Sequence, residues 1–97
     1  MKILAIEKEI SGIDWDNEND TLEAEAYRVH ELQQMGYLRE IYFNESHNAV
    51  LILECESKEK ALELLKSLPL IQKGLIRFEI MQLNPYTGFD RIIKNRQ

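Results

Sequence analysis

The sequence predicts an α+β domain of order β-α-β-β-α-β: a four-stranded antiparallel sheet with two helices on one face. Three observations carry that prediction. Segments with strand chemistry lie at 2–9, 37–43, 49–55 and 75–83. The apolar spacing takes a helical period between the first and second of them, and again between the third and fourth. The second and third are separated only by the polar run Asn44-Glu45-Ser46-His47-Asn48, a hairpin loop. A chain of 97 residues holds one such domain, residues 1–97, and not two.

Lys2–Glu9 has strand length and stops at Ser11-Gly12, a turn pair. An acidic connector, Asp14 to Asp20, leads into a helix expected over about Asp20–Met35. Asp20 is placed as its N-cap, Glu23 three residues on completes a capping box, and Gly36 stands where a helix-ending glycine belongs. Tyr37–Phe43 alternates and is rich in aromatics, whereas Ala49–Cys55 is nearly all apolar. Ser57 caps the second helix, whose Ala61, Leu64, Leu65 and Leu68 repeat at helical spacing until Pro69 stops it. Leu75–Leu83 follows Gly74 as the last strand. Asn84-Pro85 ends it, and a tail with Tyr86 and Phe89 runs to a basic end.

Composition excludes several roles. With 44% hydrophobic and 30% charged residues the chain is not disordered. A net charge of −5 with no basic stripe argues against nucleic acid or an anionic membrane as partner. The apolar run Ile3–Ile6 is too short for a signal peptide or a membrane span, and the single Cys55 can form neither an internal disulfide nor a cysteine zinc site. A cytoplasmic location is expected. The ferredoxin-like arrangement leaves one sheet face without helices, yet Ile3-Leu4-Ala5-Ile6 and Ala49-Val50-Leu51-Ile52-Leu53 are apolar on both faces. The expected cover is a second copy of the same sheet, giving a homodimeric α+β barrel; burying each Leu, Ile or Val there contributes roughly 1.5–3 kcal/mol.

From Glu31 onward the chain resembles the muconolactone isomerase-like branch of the dimeric α+β barrel proteins. The resemblance rests on Glu31-Leu32-Gln33-Gln34-Met35-Gly36-Tyr37-Leu38-Arg39, on Ala49–Ser57, on Leu65-Lys66-Ser67-Leu68-Pro69-Leu70, and on Leu83-Asn84-Pro85-Tyr86-Thr87-Gly88-Phe89. It implies a small pocket between sheet and helices that handles an organic acid or lactone with no bound metal, nucleotide or other cofactor. Where the isomerases carry basic residues in the first strand, this chain has Leu4, Ala5 and Ile6, so no catalytic assignment carries over there. Arg39 alone has a counterpart, by its position after the glycine.

On a helical wheel Leu22, Ala26, Val29 and Leu32 form the apolar stripe of the first helix; Glu25 and Gln33 fall within it and His30 on its edge. A histidine beside a carboxylate can shuttle a proton, which makes His30 and Glu25 the expected acid/base pair. Arg39 is the expected anchor for a substrate carboxylate, through its bidentate fork, with Gln33 and Tyr86 as further substrate contacts. By strand alternation Tyr37, Arg39, Ile41 and Phe43 share one face, and Arg77 and Glu79 share one with Met81 and Leu83. His47 is expected to be exposed and Cys55 to be a buried small hydrophobe. The acidic connector imitates a calcium loop, with Glu25 twelfth from Asp14, but Asn19 stands where the sharp turn needs glycine, so no metal is expected. Three readings of function remain open: a cofactor-free isomerase, a dimeric binding module without catalysis, and a cofactor-independent monooxygenase.

Overall fold

Alternation in the first strand separates Ile3, Ala5 and Glu7 from Leu4 and Ile6, and the fold follows from that division. The computed structural model describes residues 1–93; the basic end of the tail, beyond Ile93, lies outside them. The strands are β1 (Lys2–Glu9), β2 (Leu38–Phe43), β3 (Ala49–Glu54) and β4 (Ile76–Leu83). They form one sheet of order β2-β3-β1-β4 in which every neighbouring pair is antiparallel. The helices are α1 (Asn19–Gln34), α2 (Lys58–Lys66) and the single turn α3 (Pro69–Gln72). This is the expected ferredoxin-like α+β fold.

The register puts Ile3 opposite Leu53 and Ala5 opposite Leu51, and these four pack with Leu32 of α1 and Ala61, Leu64 and Leu65 of α2 in one buried core. Leu4, Ile6, Val50 and Ile52 point to the other face, where no helix of the described residues lies, and stay half-exposed. Arg77 and Glu79 share that face with Met81 and Leu83, as alternation requires, and Arg77 Nη1 pairs with Glu79 Oε1 at 3.4 Å along the strand. Among the described residues no helix is long and apolar enough to cross a membrane.

Four local expectations are corrected. First, α1 begins one residue earlier than Asp20, with Glu18 at the N-cap position and no side-chain cap bond. Glu18 Oε2 instead accepts from Thr21 Oγ1 (2.9 Å) and from Lys73 Nζ (2.7 Å), a tie to the end of α3 that local capping rules cannot foresee. Second, the acidic connector forms a short 3₁₀ turn at Trp15–Asn17, with Asp14 accepting from the Asp16 N–H and from Asn17 Nδ2. Third, Pro69 does not simply end a helix. α2 stops at Lys66, and Pro69, at the start of α3, opens a new turn, where its missing N–H costs nothing.

The fourth correction concerns β2. Leu38 lies opposite Leu53 but Glu40 lies opposite Ile52, so Arg39 is an extra residue in a β-bulge. The bulge reverses the alternation: Leu38, Ile41 and Phe43 face the helices, and Arg39 does not belong with Ile41 and Phe43. Beyond β4 the tail makes a 3₁₀ turn at Gly88–Arg91. Tyr86 lies edge-on to Phe89 at 5.0 Å and so close over Gly88 that a Cβ there would meet its hydroxyl at 2.1 Å. Tyr86 is 75% exposed, so the tail aromatics pack on one another rather than on the helices.

Candidate functional site

Only Leu32 of α1 is fully buried. Towards the N-terminal end of the helix Leu22, Ala26 and Val29 face a cleft of about 660 Å³ between α1 and the helix-side face of the sheet. The cleft sits at one end of the sheet, where β1 runs into the Trp15 turn and β2 into the hairpin. Its walls are mostly apolar, and Glu7, Glu9, Glu25, His30, Gln33 and His47 supply its polar groups. No lysine or arginine lines it among the described residues.

Glu7 is 8% exposed, the one buried charged residue of the described chain. It follows Ile3 and Ala5 on the buried face of β1, opposite Phe78, and its Oε1 accepts a long bond from the Ala49 N–H at 3.4 Å. Burial pushes its carboxyl above the ordinary range; the Ala49 N–H opposes the shift, the charge of Glu9 adds to it and that of His47 opposes it. Glu25 reaches from α1 to accept the Leu70 N–H at the start of α3 (2.9 Å). Its carboxyl is also raised, first by burial, against the Leu70 bond, and further by the charge of Glu7. Two carboxylates that feel one another in an apolar cleft resist ionising together, so they hold a proton to higher pH than free carboxyls do.

The hairpin shapes the opposite rim. Asn44 Oδ1 accepts from the N–H groups of Ser46 and Asn48, and the tight loop holds His47 at φ +60°. The His47 imidazole then stacks on Phe43, with centroids 4.1 Å apart and planes 14° from parallel.

Of the residues expected from sequence, Glu25, His30 and Gln33 line the cleft together. Arg39 and Tyr86 do not. The bulge removes Arg39 from the cleft-facing row, and its Nε donates to the Gly36 carbonyl at 2.7 Å, closing the turn after α1. Tyr86 stands on the exposed tail. Sequence reading missed Glu7, Trp15 and the His47–Phe43 stack. For Glu7 a signal was present, because a carboxylate in phase with Ile3 and Ala5 must point to the buried face. The other two depend on which loops meet at one end of the sheet. Cys55 is buried as expected, and burial raises its thiol.

No model of a known protein family matches the chain, and no curated protein matches it. Among solved structures it is similar to 5-chloro-2-hydroxyhydroquinone dehydrochlorinase from Burkholderia phenoliruptrix AC1100, determined in complex with 2,5-dihydroxybenzoquinone. The TM-score is 0.71 at 15% identity, covering 91% of this chain and 98% of that one. The two share a fold. At this identity the likeness carries no residue-level assignment.

Proposed function

We propose that the cleft is a cofactor-free proton-transfer site of the isomerase type, acting on a small unsaturated ring compound such as a lactone or a hydroxylated aromatic. The observation that carries this reading is the pair Glu7 and Glu25, both raised by burial, in a largely apolar cleft. One carboxylate removes a proton from a substrate carbon and the same proton, or one from its neighbour, returns to another carbon. A double bond shifts and no atom is gained or lost. His30, at the solvent-exposed edge, exchanges protons with water, and Gln33 supplies an amide to a substrate oxygen. Arg39 and Tyr86 take no part, since neither lines the cleft. With no lysine or arginine on its walls among the described residues, the cleft favours a lactone over a carboxylate-bearing acid. That the fold's neighbour was determined with a quinone bound supports a ring-sized ligand.

The protein acts as a dimer in this reading, a second copy covering Leu4, Ile6, Val50 and Ile52. A binding module without catalysis is the second reading; the bond from Leu70 to Glu25 favours it, because it gives that carboxylate a structural task.

The test is solvent-deuterium incorporation into a panel of unsaturated lactones and phenols. Glu25→Gln keeps an acceptor for the Leu70 N–H but cannot take a proton, and is expected to slow exchange about 10²–10⁴-fold. Full exchange in a folded Glu25→Gln and in Glu7→Gln removes the catalytic reading.

A further inference from the structure

Three carboxylates, Glu7, Glu9 and Glu25, line one cleft that has no lysine or arginine among its described lining residues, in a chain of net charge −5. Glu7 is more than nine-tenths buried, yet among the described residues its one hydrogen bond is the 3.4 Å contact from Ala49. A carboxylate so placed has exchanged most of its water for one long bond, and among charged groups His47 alone eases its ionisation. Trp15 and Phe43 line the same walls, one face of Phe43 being taken by His47, and aromatic faces attract cations through the ring quadrupole. Among the described residues no three of His, Cys, Asp and Glu come together as a metal site.

We infer that the cleft selects an organic cation: a ring compound bearing a protonated nitrogen, whose N–H groups reach Glu7 and Glu25 while its ring lies against Trp15 and Phe43. This rests on the same cleft as the proposed proton-transfer site and narrows its substrate class. The charge on the ligand relieves the repulsion among the three carboxylates, which a neutral ligand cannot do and an anion makes worse. A protonated C=N group also acidifies the neighbouring C–H, so recognition and proton transfer would act on adjacent atoms.

Trp15 is the only tryptophan of the chain, so its fluorescence reports on the cleft directly. The probes are benzylamine, benzyl alcohol and benzoate, matched in size and titrated at neutral pH, with calorimetry as a second readout. Benzylamine is expected to bind about tenfold more tightly than benzyl alcohol, benzoate most weakly, and added salt to weaken benzylamine alone. Glu7→Gln, checked for folding by its melting curve, is expected to bring benzylamine down to the level of benzyl alcohol. Equal or tighter binding of benzyl alcohol or benzoate overturns the inference, as does saturable binding by none of the three at millimolar concentration. Deuterium exchange into neutral rings separates the two claims. Exchange that persists without a benzylamine preference sinks the cation alone, while a benzylamine preference with undiminished exchange in both Glu25→Gln and Glu7→Gln sinks the catalytic role alone.

Discussion

Glu7 is the residue whose position works against folding. Its folded-state carboxyl is raised by burial above the ordinary value of 4.5, so the folded chain holds a proton that the unfolded chain releases. Its contribution to stability is therefore most favourable below the ordinary carboxylate range and declines as pH rises through the raised value. Glu25 behaves the same way, whereas Glu18, lowered first by the Lys73 hydrogen bond, favours folding above its ordinary value and loses that effect as pH falls. Glu7→Gln removes the charge and keeps an acceptor. It is expected to stabilise the protein at neutral pH by about 1 kcal/mol, a rise in melting temperature of about 4–8 °C. The advantage should vanish as both proteins are melted at falling pH, down through the carboxylate range; a constant gap would place the effect in packing rather than ionisation.

At the scale of elements, local signals account for most of the architecture. Ser57 Oγ accepts the Lys60 N–H at 3.0 Å, the N-cap expected from its place before an apolar helical repeat. Ser57→Ala leaves that donor without its partner and is expected to cost about 1 kcal/mol in urea unfolding, with an unchanged denaturant slope. Gly36 ends α1 at φ +87°, the left-handed conformation that its position announced. The failures of local reasoning are as informative. Arg39 has the side chain and position of a ligand anchor, but one inserted residue in β2 decides where it points, and a bulge leaves no mark in hydrophobic periodicity. The start of α1 went the same way, because Glu18 answers to Lys73, 55 residues away.

For the whole molecule, the unshared sheet face is the main consequence of having so few helices. Leu4, Ile6, Val50 and Ile52 form its centre, with Met81 beside Leu4 and the Arg77–Glu79 pair towards one edge. A radius of gyration of 16.6 Å exceeds the roughly 12.5 Å of a compact chain this long, and extents of 61 × 27 × 19 Å put the excess along one axis. Two copies packed through this face would cover it. Light scattering is expected to return twice the chain mass for the wild type and a single chain mass for Ile52→Glu, which puts a charge at the centre of the face without touching the core. A monomeric wild type would remove the barrel while leaving the cleft intact, since the cleft lies on the opposite side of the sheet.

The order of elements, the antiparallel sheet and the presence of Glu25 and Gln33 on one helical stripe, with His30 at its edge, were determined by the sequence alone, because period, caps and turns act over a few residues. Which of those polar groups share a cleft with Glu7, Trp15 and His47, and which, like Arg39, are turned away, was decided only by the tertiary structure. Register, bulges and the meeting of loops at one end of a sheet are settled by contacts between residues far apart in the chain, and no local pattern encodes them.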